Sequence, residues 1–364
     1  MEASYLRQPG FRGRCLVQGE RGVYHVMSRT SCGQYLFDDE AKGVFLKLLQ
    51  KQAGFCGVEV LAYCVMGNHF HLLVAVPDVS EIPDAELLRR YRLLYEGKNC
   101  PASSASPEVL AKLLAANEEE GQLLRERILA RMHDLSGFVR ELKQRFGIWY
   151  NHRHGNKGTI WADRFTSVVV EPTREAMSTV AAYIDLNPLR AGLVSDPAEY
   201  PFSSYGCASG GQKEARLGYT RIFGDGMGFE AILPSYNLIL YGKGATSKGT
   251  VGKDRGTVSE ATLSVVVENG GKLPLSEILR RRVRYFTAGG AIGSPDFLEQ
   301  VGAEWKTTYG LQRKRDAYPM RYGEWGGLQS FRNLQVEPVG MPKKASRAQS
   351  SAVPMDSPTS KYSS

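Results

Sequence analysis

Two apolar runs joined by a Gly-Asn pair are the feature of this sequence that most restricts its fold. Residues 58–66 read VEVLAYCVM, and residues 69–77, directly after the pair, read HFHLLVAVP. Apolar runs separated by two such residues are typical of an antiparallel hairpin. Residues 22–30 (GVYHVMSRT) have strand composition, and Asp38 or Asp39 can cap a helix ahead of the hairpin. The sequence therefore predicts the order β-α-β-β.

A helical region and another strand–helix pair follow the hairpin. Residues 83–146 are charged and have helical periodicity, residues 149–165 indicate a loop, and residues 166–172 (TSVVVEP) have strand composition. Thr173 can cap a helix that Pro188 would stop. The resulting order is close to the split βαβ layout. We therefore expect an α+β fold, with a ferredoxin-like antiparallel sheet, helices on one face and a helical insertion.

Shifts in composition predict the domain boundaries. We expect a core over residues 1–206, with the insertion at about 83–147, followed by a Gly-, Ser- and Lys-rich linker region over 207–273. Periodic segments return over 274–340 and predict a small, mostly helical C-terminal module. Residues 341–364 lack apolar content, which predicts a disordered tail.

Charge and cysteine content narrow the class of protein. The formal net charge of +8 favours polyanionic partners, although it is also compatible with simple solubility. The six cysteines form no C-x-x-C pair, which suits free thiols in a reducing compartment. No N-terminal signal pattern or apolar run long enough for a membrane span is present, so we expect a cytoplasmic protein without membrane contact.

His69 and His71 are the first candidate functional residues. Side chains two positions apart on a strand share one face, so both imidazoles can reach the same ion. Histidine is a common metal ligand, and the pair could form a two-imidazole platform on a rigid strand. Two hydrogen-bonded structural histidines would give the same pattern, and the pattern does not distinguish the two alternatives.

Tyr183 and Asn187 lie four positions apart near the end of the helix before Pro188, and therefore on one helical face. A phenol becomes an effective nucleophile when its target is electrophilic or its proton is removed. A divalent cation held by His69 and His71, with Asn187 as a further ligand, could polarise a phosphate. Tyrosine attack would then leave a covalent protein–DNA bond. A tyrosine that only packs its ring and a turn asparagine are the competing interpretations.

The predicted loop at 149–165 alternates cations with aromatic rings. Such a pattern suits single-stranded DNA, because cations bind phosphates while unpaired bases stack on the rings. The same rings could instead cap the core. The candidate DNA-binding residues are Arg153, Lys157, Trp161, Arg164 and Phe165.

Five segments, taken together and in order, resemble the REP-associated tyrosine transposases, which belong to the HUH single-tyrosine nucleases. They read YHVMSRT, GNHFHLLVAVP, GTIWADRF, AAYIDLNPLRAGLV and YPFSSY. The resemblance covers roughly residues 12–206, and LRRRVRYFTAGGAIGSPDFLEQV also resembles the C-terminal extension of longer members. Gly67 occupies a position where many members of this family have proline, and this difference leaves both histidines in place.

The resemblance implies a nuclease core that acts on single-stranded DNA with Mg²⁺ or Mn²⁺. His69 and His71 match the metal-binding histidines, Tyr183 matches the catalytic tyrosine, and Asn187 matches the residue that completes the metal site. By analogy, cleavage near palindromic hairpin repeats would give a 5′-phosphotyrosine and a free 3′-hydroxyl. The enzyme would work as a monomer or a homodimer.

Two other functions remain open on the sequence. A hairpin-DNA-binding regulator that has lost catalysis would have no need of the histidine pair and the tyrosine together. Zinc-dependent hydrolysis fits the histidines but lacks an evident Glu or Asp partner and leaves Tyr183 without a role.

Overall fold

The structure, a computed structural model, describes residues 21–78, 81–95, 104–116, 118–242, 273–281, 283–310 and 315–332. Four strands form the centre of the molecule. They are β1 (Gly22–Arg29), β2 (Glu59–Val65), β3 (His69–Val76) and β4 (Thr166–Val170). Their order is β2-β3-β1-β4, and every neighbouring pair is antiparallel. The predicted α+β class and the ferredoxin-like strand order are therefore confirmed.

Two long helices cover one face of this sheet. They are α1 (Asp39–Cys56) and α5 (Leu135–His154). The predicted cap of α1 is Asp38, whose side chain accepts a hydrogen bond from the Ala41 amide at 2.8 Å. Phe45 of α1 packs on Phe70 of β3, with ring centroids 4.8 Å apart, and on Phe146 of α5 at 5.4 Å. Burial of these rings joins the helices to the sheet.

The helical insertion is present where it was predicted. It consists of α2 (Asp84–Tyr95), α3 (Pro107–Ala116) and α4 (Glu119–Leu129), which precede α5. Helix α5 continues to His154, so the loop predicted at 149–165 is helical over its first residues. Gly155 at its C-terminus has φ 65°, a conformation that glycine adopts without a steric penalty.

The expectation of helices on one face only is wrong. Helix α6 (Arg174–Asp185) begins at the predicted cap, Thr173, and packs on the opposite face, where its Tyr183 contacts His71 of β3. Adjacent residues on a strand point to opposite faces, and Phe70 and His71 are both buried. The sheet is therefore covered on both sides, and the histidine face is also interior.

The linker predicted at 207–273 is helical over its first part. The helices following α6 are α7 (Asn187–Arg190), α8 (Ser204–Ser209), α9 (Lys213–Phe223) and α10 (Phe229–Tyr241). Gly218 brings α9 against β2, where a Cβ would collide with the Leu61 carbonyl oxygen. Glycine content here reflects close packing as well as turns, which is why composition misidentified the segment. Residues 243–272 lie outside the described residues.

The C-terminal segment extends the core sheet, whereas the sequence predicted a mostly helical module. Its elements are α11 (Leu275–Leu279), α12 (Tyr285–Ala288), β5 (Ala291–Gly293), α13 (Pro295–Thr308), β6 (Tyr318–Pro319) and β7 (Gln329–Ser330). Strand β5 pairs in parallel with β4, and the complete order is β2-β3-β1-β4-β5-β7-β6. The predicted tail at 341–364 lies outside the described residues. Within the described ranges, no helix has both the length and the apolar character that a bilayer crossing requires.

Candidate active site

The predicted histidine pair lies at the start of β3. The ring centroids of His69 and His71 are 5.2 Å apart, which places both imidazoles on one side of the strand. The backbone register aligns His69 with Arg29 of β1, and Arg29 is exposed. The positively charged side chain of Arg29 therefore lies beside the histidine pair.

Helix α6 brings Tyr183 to the same place. Its ring meets that of His71 edge to face, with centroids 6.2 Å apart. The side chain is buried, and the ring of Phe286 in α12 covers it at 4.6 Å. The structure thus brings together the two histidines and the tyrosine that the sequence singled out.

A third histidine, His25 of β1, completes this cluster, and the sequence analysis missed it. Its Nε2 lies 3.0 Å from Nδ1 of His71, and its Nδ1 lies 2.8 Å from the carbonyl oxygen of Phe286. Burial lowers the pKa of His25 to about 3 and holds the pKa of His71 well below its usual value. A histidine in the middle of the strand-like run GVYHVM was the sequence signal that could have identified it, because histidine is seldom chosen to fill a core.

Asn68 gives His69 a comparable partner. The asparagine Nδ2 donates to the Gly33 carbonyl oxygen at 3.0 Å, and its Oδ1 lies 2.7 Å from Nδ1 of His69. The turn that connects β2 and β3 therefore fixes the ring of the histidine that follows it.

Asn187 and Arg190 follow Tyr183 along the chain. The amide Nδ2 of Asn187 donates to the carbonyl oxygens of Tyr183 and Ile184, at 3.3 and 3.0 Å. The guanidinium of Arg190 lies 4.1 Å from the centroid of the Tyr183 ring. Arg190, which the sequence analysis did not select, also places a positive charge beside the phenol.

The two histidines fit a divalent cation, because an imidazole in its neutral form retains a lone pair on one ring nitrogen. The Oδ1 of Asn187 is an oxygen donor of the kind that Mg²⁺ and Mn²⁺ accept, and the hydrogen bonds of its amide hold it at the end of α6, beside Tyr183. Among the described residues, no group of three or more His, Cys, Asp or Glu side chains could hold a metal. A cation at this pair would therefore draw its other ligands from an amide, from water or from a bound phosphate.

The candidate DNA-binding residues of the 149–165 segment fall into two groups. Trp161 and Phe165 are buried, and the Trp161 indole donates to the Lys143 carbonyl oxygen at 3.0 Å. Their expected role as stacking surfaces for bases is therefore wrong, because both rings belong to the core. Lys157 and Arg164 are exposed.

Arg153, the remaining cation of the group, is also exposed and lies 3.4 Å from the Glu40 carboxylate. An exposed ion pair of this kind contributes little to stability. The pair leaves Arg153 accessible at the surface beside the start of α1.

Comparison with known proteins supports the predicted resemblance. Residues 20–85, which contain β1 and the hairpin, match the family described as IS200-like transposase. A solved structure of a REP-associated tyrosine transposase bound to a REP hairpin is 18% identical over 55% of this chain and 87% of that chain, with a TM-score of 0.34. No curated protein matches the sequence. Over residues 20–85, which contain the first two of the five segments, the chain therefore resembles the IS200-like transposases.

Proposed function

We propose that this protein is a metal-dependent single-stranded DNA endonuclease and strand transferase. It would cleave near palindromic hairpin repeats through a covalent 5′-phosphotyrosine intermediate. The observation that carries this proposal is the approach of Tyr183 to the histidine face of β3, with 6.2 Å between its ring centroid and that of His71.

In the proposed reaction, the main task of the protein is to position the Tyr183 phenol against the DNA phosphate. The Tyr183 Oη forms a bond to phosphorus as the bond from phosphorus to the 3′ oxygen breaks. The phenol gives up its proton, and the departing 3′ oxygen gains one to become a hydroxyl. Attack by a 3′-hydroxyl on the phosphotyrosine reverses these bond changes and rejoins a strand without ATP.

His69, His71 and Asn187 are the residues that would hold Mg²⁺ or Mn²⁺. The bound cation would supply Lewis acidity and neutralise charge on the phosphate. Phe286 covers Tyr183 and limits access of bulk water to the phenol. Arg190 also contacts the Tyr183 ring and would help to hold it in place.

DNA would approach along exposed arginine and lysine side chains. Arg29 lies next to His69, and the 149–165 segment contributes Arg153, Lys157 and Arg164. Single strands bind such surfaces through phosphate contacts that weaken as salt concentration rises. Hairpin DNA as the ligand rests on the resemblance to the REP-associated transposases.

The decisive experiment is a search for the covalent adduct. The full-length protein is incubated with a hairpin-bearing single-stranded oligonucleotide and Mg²⁺, and the products are separated on a denaturing gel. We expect an adduct that EDTA prevents and that Tyr183→Phe abolishes, while the variant still shifts the oligonucleotide on a native gel.

Tyr150→Phe is the matched control, because Tyr150 is a buried tyrosine on α5, which packs on the opposite side of the sheet. It should leave adduct formation unchanged. A mobility shift without adduct would support the DNA-binding regulator instead. Cleavage by Tyr183→Phe with no covalent intermediate would indicate hydrolysis.

A further inference from the structure

His25 is fully buried beside the candidate site, yet the proposed chemistry gives it no role. We propose that His25 and Asn68 are positioning residues that hold His71 and His69 in the tautomer protonated on Nδ1, so that both rings present the Nε2 lone pair to a cation. This inference rests on the proposed function for the identity of the site, and on the hydrogen bonds together with the burial of His25 for the tautomers.

The argument for His71 begins at a backbone carbonyl. The Phe286 oxygen can only accept, so His25 must carry its proton on Nδ1, 2.8 Å away. Burial opposes a charged ring, so His25 is neutral and its Nε2 is an acceptor. The Nδ1 of His71, 3.0 Å from that acceptor, must then be the donor. The lone pair of neutral His71 is consequently on Nε2.

The argument for His69 follows the same logic through an amide. The Asn68 Nδ2 donates to the Gly33 carbonyl oxygen, which fixes the orientation of the amide and leaves Oδ1 as an acceptor. The Nδ1 of His69, 2.7 Å from this oxygen, is therefore the donor. Two unrelated acceptors thus impose the same tautomer on both histidines.

The shared tautomer matters because a neutral imidazole binds a cation only through its unprotonated nitrogen. Partners on the other nitrogen fix the orientation of ligating histidines, and their loss typically lowers metal affinity roughly 10- to 100-fold. The Phe286 carbonyl belongs to the C-terminal segment, in α12. That segment therefore acts on the candidate site through His25 as well as through the Phe286 ring.

Nitrogen-15 NMR of the imidazoles in the metal-free, DNA-free protein tests the tautomers directly. We expect the wild-type spectrum to show His69 and His71 both protonated on Nδ1. A wild-type spectrum with His71 protonated on Nε2 would overturn the proposal for His25, and the same result for His69 would overturn it for Asn68.

Variants of the two partners should act on one ring each. His25→Leu should convert His71 to a tautomer mixture and leave His69 unchanged, and Asn68→Ala should do the reverse, so each variant is the control for the other. His25→Gln keeps a donor for the Phe286 carbonyl and an acceptor for His71, and should retain the wild-type tautomer. If His25→Leu fails to fold, the spectra of the wild type and of His25→Gln decide whether His25 sets the tautomer of His71.

Binding of Mn²⁺ alone, measured by calorimetry, gives an independent readout. We expect His25→Leu to weaken Mn²⁺ binding roughly 10- to 100-fold, and Met27→Leu, which changes packing directly opposite His71, to have little effect. Unchanged Mn²⁺ affinity in a folded His25→Leu protein would contradict the proposal. If His69 and His71 are both protonated on Nδ1 but the protein forms no DNA adduct, the proposed function would be wrong and the positioning role of His25 and Asn68 would stand.

Discussion

The guanidinium of Arg190 stacks on the ring of Tyr183, and its Nη2 donates to the Tyr183 carbonyl oxygen at 2.6 Å. Its Nη1 donates to the Leu279 carbonyl oxygen at 2.7 Å, which ties the tyrosine to the C-terminal segment. A planar guanidinium can stack and make both hydrogen bonds at once, whereas an ammonium cannot.

Arg190→Lys should therefore slow formation of the covalent adduct by roughly 10- to 100-fold, because a small displacement of a reacting group has effects of this size. Single-turnover kinetics with excess protein measures this rate. Arg174→Lys, at the start of the helix that carries Tyr183 and with its guanidinium 4.6 Å from the Phe223 ring, is the control and should match the wild type. Equal rates for both variants would exclude a role for Arg190 in placing the phenol.

Asp185 should make the stability of the protein depend on pH. It is fully buried, accepts hydrogen bonds from the hydroxyl groups of Tyr219 and Ser204, at 2.6 and 2.9 Å, and burial raises its pKa to about 6. A folded-state pKa above the unfolded value of about 4 means that the folded protein holds the proton more tightly. This tighter binding of the proton stabilises the folded protein fully below about pH 4, and the stabilisation is lost as the pH rises through about 6.

Denaturant unfolding of wild type and Asp185→Asn from pH 4 to pH 7 measures this effect. Between pH 4 and pH 7, the free energy of unfolding of the variant should rise relative to that of the wild type by up to about 3 kcal/mol, since one pKa unit corresponds to about 1.4 kcal/mol. Asp38→Asn is the control, because asparagine caps helices as well as aspartate does. It should reproduce the wild-type pH dependence. A constant difference between wild type and Asp185→Asn would show that the pKa of Asp185 is unperturbed in the folded state.

Arg29 should contribute to DNA affinity through phosphate contact. It is exposed and lies directly across from His69 in the sheet register. Arg29→Ala should weaken binding of single-stranded oligonucleotides regardless of sequence and reduce the salt slope of log K by about 0.7, the amount expected for one phosphate contact. Fluorescence anisotropy at several salt concentrations measures both. Arg89→Ala removes an exposed arginine paired with Glu86 on α2 and should leave the slope unchanged.

Trp161 should matter for folding and not for stacking on bases. It is buried against Phe37, Phe70 and Phe146. Trp161→Ala should lower the free energy of unfolding by about 3–5 kcal/mol, as large-to-small changes of core aromatics do. The folded fraction should bind single-stranded DNA with wild-type affinity. A stable variant with weakened binding would instead restore Trp161 as a base-stacking residue.

The local patterns in the sequence were sufficient for the central elements. Strand alternation identified the hairpin and placed His69 and His71 on one face, and cap residues located the starts of α1 and α6, at Asp38 and Thr173. These signals are short-range, since they depend on side chains within a few residues of one another. Composition was a weaker guide: the glycine-rich segment after Tyr205 forms helices because small residues also allow close packing.

The sequence by itself determined which side chains can do chemistry: two histidines on a strand, a tyrosine on a helix, and the cations around them. Tertiary structure alone decided that α6 covers the histidine face, that Trp161 and Phe165 lie inside, and that His25 stands between His71 and the Phe286 carbonyl. Each of these depends on contacts between segments far apart in the chain. Periodicity and capping act within one element, so they do not specify which distant backbone carbonyl a buried imidazole meets.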